Sequence, residues 1–179
     1  PTATPALVPA GEVNAQEGGP WTSVVYVQNP SADPAAIVIS WYKTDGSPAT
    51  TPSTSDTIPA HGRGRYTYPG SEASFQGSAI VSSGDQVVAL VRITNNPASE
   101  NTNSSGYVGA TTSGTGTLLF LPTVHRSNWH TLVAIQNVGT ATTSIVMRIR
   151  DSSGTVLKTV NDNIEANACL LYTSDAADE

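Results

Sequence analysis

Apolar and polar residues alternate with a period of two along much of this chain. Val25 and Val27 alternate with Tyr26 and Gln28, and Ile37, Ile39 and Trp41 alternate with Val38, Ser40 and Tyr42. Val133 and Ile135, then Ile145, Met147 and Ile149, carry the same phase, with Arg148 and Arg150 in between. Successive side chains of a strand point to opposite faces, so this pattern buries one face and wets the other. It predicts antiparallel strands, because parallel strands are covered on both faces and read as unbroken apolar runs. Further strands are expected at Arg63 to Tyr68, Gly77 to Ser82, Gln86 to Thr94, Tyr107 to Thr111 and Thr117 to Val124. Asp45-Gly46, Ser153-Gly154 and Gly84-Asp85 suit tight turns, where positive φ needs Gly. Val88 and Leu90 make the second face of their strand apolar too, which predicts a central strand or one covered by a neighbouring module. No segment has a helical period, and the polar stretch from Asn95 to Ser105 predicts a loop. Short strands with regular turns imply an all-β, antiparallel, immunoglobulin-like or fibronectin-like sandwich. That label covers architecture alone, since the chain offers neither a Cys pair nor an identifiable tyrosine corner.

The pattern also repeats. With Trp21 aligned on Trp129, the run Trp21 to Asn29 faces Trp129 to Asn137. Gln28, Asn29, Ile37, Val38 and Gly46 then meet Gln136, Asn137, Ile145, Val146 and Gly154. Seven of the 26 pairs from Trp21 to Gly46 are identical, at an offset of 108 residues. Further on, Ile58 and Ala60 meet Ile164 and Ala166 at an offset of 106. Such a period exceeds a solenoid unit and matches one domain per repeat. The expected organisation is a lead-in segment with a first strand at 1–20, a nearly complete sandwich at 21–112, and a truncated second one at 113–168. The second copy has an apolar face without the strands to cover it, so it is expected to lean on the first.

Residues 169–179, Cys-Leu-Leu-Tyr-Thr-Ser-Asp-Ala-Ala-Asp-Glu, resemble the translation of a transposase-based sequencing adapter. On that resemblance they form an adapter-derived tail, and the chain is expected to start and stop inside a longer reading frame. Setting the tail aside lowers the acidic residues from 14 to 11 against 8 basic, and the net charge from −6 to −3. No basic footprint for nucleic acid or anionic membrane remains. The sole Cys, Cys169, falls in the tail, so no disulfide framework or Cys-ligated metal is expected. Charged residues make up 12 % of the chain, about half the usual share, which disfavours solvated helices. No apolar run approaches the roughly 18 residues of a membrane-spanning helix.

Candidate sites are few. Trp21 and Trp129 recur, which fits a ring buried at a strand's start better than a ligand platform. Tyr26 and Tyr42 fall on the polar face and are the candidates for stacking a sugar, although their counterparts are Ala134 and Arg150. Gln28-Asn29 and Gln136-Asn137 read as strand ends, where Asn caps the following turn. His125, Arg126 and His130 suit a solvated linker better than a metal site, and His61 lies in a Gly-flanked loop. Asp33, Asp45, Asp56 and Asp85 are isolated, unlike the clustered oxygens calcium requires. No nucleophile elbow, zinc-protease helix, phosphate loop or dinucleotide fingerprint is present. The expectation is a protein that is not an enzyme and has no cofactor or metal.

Trp-x-Thr/Ser-x-apolar-x-apolar-Gln-Asn, the alternating strand after it, Gly77 to Ser82, and the Leu121 to Val124 lead-in resemble tandem sandwich modules of large bacterial surface or secreted proteins. The resemblance covers most of residues 5–168 and carries no catalytic or binding residues. It implies an extracellular structural or adhesive spacer, with neighbouring modules and surface polysaccharide or other surface proteins as partners. The alternative is a carbohydrate-binding accessory module.

Overall fold

A computed structural model describes residues 2–6, 21–71, 75–95, 104–109, 116–119 and 132–173. The described residues form twelve β-strands and no helix. In chain order these are β1 (Thr2–Ala6), β2 (Trp21–Gln28), β3 (Ala35–Lys43), β4 (Thr54–Ile58), β5 (Arg63–Tyr66) and β6 (Gly77–Ser83). They continue as β7 (Val88–Asn95), β8 (Ser104–Val108), β9 (Leu132–Gln136), β10 (Thr143–Arg150), β11 (Val156–Ile164) and β12 (Cys169–Thr173).

Two four-stranded antiparallel sheets, ordered β1-β6-β3-β4 and β5-β2-β7-β8, enclose one core. The alternation in the sequence decides which side chains enter it. On β3, Ala35, Ile37, Ile39 and Trp41 are buried while Ala36 and Val38 are exposed. They meet Ala79 and Val81 of β6, and Val25, Val27, Ala89 and Val91 from the opposite sheet. β-Branched residues dominate because they pack well on a pleated surface. Trp41 holds Tyr68 and Phe75 edge-on, with ring centroids 5.6 and 6.4 Å away, while those two rings stack at 3.7 Å. The chain is therefore an all-β antiparallel sandwich. β1 lies beside β6 in one sheet and β7 beside β2 in the other.

β9 to β12 form a second, smaller unit of two strand pairs, β10-β11 and β12-β9. Its pairing copies that of the first unit. Ala35 faces Ile58 across β3-β4, and Thr143 faces Ile164 across β10-β11. Gln28 faces Arg63 across β2-β5, and Gln136 faces Cys169 across β9-β12. Ile145, Met147 and Ile149 are only half-buried, whereas Ile37, Ile39 and Trp41 are fully buried. Among the described residues, nothing pairs with β10 as β6 pairs with β3.

Several expectations shift. The strand expected at Tyr107 to Thr111 begins earlier, at Ser104, and Asn95 belongs to β7. Residues 117–119 are not strand, and the rest of Thr117 to Val124 lies outside the described residues. β4 and β11 have no counterpart among the expected strands, because their exposed sides are polar or mixed and Ile58 and Ile164 are their only buried residues. Cys169–Thr173 pairs with β9 at the position β5 holds on β2, and residues 174–179 lie outside the described residues. β7 is a central strand, yet Val88 and Leu90 remain 46 % and 41 % exposed on its outer side.

Candidate functional site

The two recurrent asparagines organise their units from within. Asn29 is fully buried just past β2. Its Nδ2 donates to the carbonyls of Asp33, Ile58 and Pro59 at 2.7, 3.2 and 3.2 Å, and its Oδ1 accepts from Ser31 N at 2.9 Å. Asn137 does the same with Ala141, Ile164 and Glu165 at 2.8, 2.9 and 3.1 Å, and with Gly139 N at 2.9 Å. Each asparagine fastens the end of one strand to the turn that follows it and to the end of a distant strand. Around them the backbone repeats too. His61 and Asn167 both take positive φ, 55° and 62°. Asn29 N donates to Gly62 O, and Asn137 N donates to Ala168 O.

A second feature is the surface where the units touch. The turn after β3 closes with Lys43 N donating to Ser47 O and Gly46 N donating to Lys43 O. Its Thr44 carbonyl accepts from Cys169 N at 3.2 Å. Nearby, Gln136 Nε2 donates to Ser78 Oγ at 2.9 Å, and Ser78 Oγ donates to Asn167 O at 3.4 Å. Ser78 and Cys169 are consequently buried. Gly46 sits so close that a Cβ there would collide with the Ala166 carbonyl oxygen. The matching turn after β10 has the same bonds, with Asp151 N donating to Thr155 O and Gly154 N to Asp151 O. A Cβ on Gly154 would meet nothing within 4 Å.

Gly46 and Gly154 share a left-handed backbone, φ 83° and 88°, so alanine costs about 1 kcal/mol of strain at either position. Only Gly46→Ala also collides across the interface. Hydrogen exchange should therefore speed up at the Cys169 amide in Gly46→Ala and stay slow in Gly154→Ala. Equal protection in both variants would show that the units do not touch through this turn.

Charge enters both turns through a carboxylate. Asp45 Oδ1 accepts from Ser47 N and Oγ, at 2.8 and 2.6 Å. Asp151 Oδ1 accepts from Ser153 Oγ and N and from Thr155 N, at 2.6 to 2.9 Å. These bonds, led by the serine hydroxyls, hold both carboxyls below the ordinary 3.8. A depressed folded pKa contributes stability that is present above the unfolded value and lost as pH falls through the folded one. Carboxyl titration by NMR should give midpoints below 3.8 at both sites, with turn shifts following. Midpoints at or above that value would contradict the capping geometry.

The remaining candidates are scattered. Tyr26 is half-buried on the outer side of β2, in one cross-strand row with Arg65, Leu90 and Val108. Tyr42 is on the outer side of β3 in the opposite sheet, so the structure does not bring the two tyrosines together. Trp21 begins β2, but its side chain lies outside the described residues, as do Trp129, His125, Arg126 and His130. His61 is exposed. Asp56 accepts from Tyr66 Oη at 2.8 Å, and burial, reinforced by that carboxylate, pushes Tyr66 up to about 12. Burial also pushes the Cys169 thiol up to about 11, which keeps it protonated and unreactive at neutral pH. Among the described residues, no group of three His, Cys, Asp or Glu could hold a metal ion. Sequence reasoning missed Ser78 and Gly46 as contact residues. The sole signal was small residues at a strand start and a turn.

No known protein family matches the chain, and no curated protein does. Among solved structures, one described as Thermotoga maritima 1070 is similar over 60 % of this chain and 90 % of its own, at 14 % identity and a TM-score of 0.45.

Proposed function

We propose that this chain is a non-catalytic structural or adhesive spacer, built from tandem copies of one β-module and displayed on a bacterial surface or secreted. The observation that carries the reading is the doubled asparagine cradle. The same pattern of hydrogen bonds surrounds Asn29 and Asn137, and the same turn follows β3 and β10. Repetition of a self-contained scaffold sets reach, and stiffness comes from contacts between neighbours. Pulling single molecules from their termini tests it. A spacer that carries tension yields in two resolved steps, the β9–β12 unit first and the sandwich later at higher force. Featureless extension would sink the proposal.

The alternative, a carbohydrate-binding accessory module, is favoured by Tyr26 in its row with Arg65 and Leu90 on an exposed sheet face. Electrophoresis through gels containing neutral or acidic polysaccharides separates the readings. Retardation abolished by Tyr26→Ala would favour the binding module, and unchanged mobility in every gel would favour the spacer.

A further inference from the structure

The contact between the two units has two halves, and each half exists a second time with nothing described against it. One half is the turn of the first unit, carrying Thr44 and Gly46. The other is the outer side of β9-β12 with its preceding turn, where Gln136, Asn167 and Cys169 make the bonds. The first unit has the same surface, since β2-β5 matches β9-β12 in register. Gln28 stands where Gln136 stands, His61 where Asn167 stands with the same positive φ, and Arg63 where Cys169 stands. All three are exposed, and Val88 and Leu90 beside them leave apolar area open to water. The second unit has the same turn, formed and exposed from Asp151 to Thr155.

We infer that the outer face of β2-β5 docks the Asp151–Thr155 turn of a second copy of this chain, in a head-to-tail contact. The inference rests on reading both units as copies of one module. In the contact already formed, Thr44 O accepts from Cys169 N. In the new one, Ser152 O takes the place of Thr44 O, and Arg63 N takes the place of Cys169 N. The charges fit as well. Asp151 replaces Lys43 in the turn, and Arg63 replaces the uncharged Cys169 opposite. Opposite charges across such a rim fix partner and register. The second unit lacks a described counterpart of Ser78, so this contact is weaker than the one within the chain. A surface that meets a different surface of the next copy builds rings where the rotation closes and open chains where it does not.

Directed cross-linking tests this on the full chain, whose own Cys169 is buried and protonated. Arg63→Cys and Ser152→Cys proteins are mixed and mildly oxidised, with Thr57→Cys and Thr159→Cys, both exposed, as the control pair. Docking raises the effective concentration of the two thiols, so the heterodimer should form about tenfold faster than in the control pair. The double variant R63C/S152C should give a ladder of oligomers. Rates equal to the control pair, or a double variant that forms no covalent oligomer, would overturn the inference. The spacer reading stands or falls separately, on the stretching experiment, because unfolding steps within one chain do not depend on contacts between copies.

Discussion

Replacing Trp41 with alanine should lower the stability of the sandwich by about 3–5 kcal/mol, the usual cost of a large aromatic lost from a core. Natural domains have about 5–15 kcal/mol in hand, so the variant sits at the edge of unfolding at room temperature. Trp41 is 3 % exposed and supports the stacked Tyr68 and Phe75 edge-on. Without the indole, that pair loses its wall, and the core neighbours Ile39 and Ala79 cannot grow into the void. Urea unfolding followed by far-ultraviolet dichroism reads the loss directly, since the strand signal does not depend on the ring that the substitution removes. The second unit provides a control. Ile149 holds the position of Trp41 on β10 but is only half-buried. Ile149→Ala should therefore cost about 1 kcal/mol or less, because half-burial forfeits half of the transfer energy. If Trp41→Ala and Ile149→Ala shift the midpoint equally, Trp41 does not anchor the core.

What could be read from sequence follows the physics of alternation. β2, β3, β6, β7 and β10 are legible because one face of each strand is buried, or half-buried in β10, and the other wet or mixed, and a period of two records that. β4 and β11 are not, since each buries a single residue, Ile58 or Ile164, and a strand held by backbone bonds leaves little trace in side-chain polarity. The likeness of the two stretches is carried in the sequence by identities such as Gln28, Asn29 and Gly46 with Gln136, Asn137 and Gly154. The two asparagines read as turn caps, but their grip on a strand 27 to 30 residues further on is not visible. Such a bond depends on which strand ends meet in space, and sequence spacing does not encode it. The contact between the units is hidden for a similar reason. Ser78 falls on the outer side of β6, where a polar residue predicts water, and it is buried only because Gln136 and Asn167 cover it. Tyr26 and Tyr42 look alike in phase, yet phase says which side of a strand a residue takes and not which sheet the strand joins.

Asn29→Ala should cost the first unit about 2–4 kcal/mol. A net hydrogen bond contributes about 1 kcal/mol, and a buried group left without a partner costs about 1–3 kcal/mol more. Here one amide serves three carbonyls, and those of Ile58 and Pro59 belong to a strand end far along the chain. Removing it leaves acceptors that no alanine can satisfy, in a place where Asn29 was fully buried. Asn29→Asp keeps the shape and is the sharper probe. Its carboxylate cannot donate, and it turns a negative charge on three carbonyl oxygens. The folded state then favours the protonated acid, which raises that group's folded pKa, so the variant's stability falls as pH rises from the unfolded carboxylate range through the raised folded pKa. Asn137→Ala makes the same deletion in a unit that is smaller and less well covered. It should loosen residues 132–173, seen as faster hydrogen exchange there, and leave the main unfolding midpoint near that of the parent. A protein in which Asn29→Ala and Asn137→Ala were equally mild would have its strand ends held by something other than the amides. The doubled cradle would then be a coincidence of sequence, and the case for two copies of one module would fall with it.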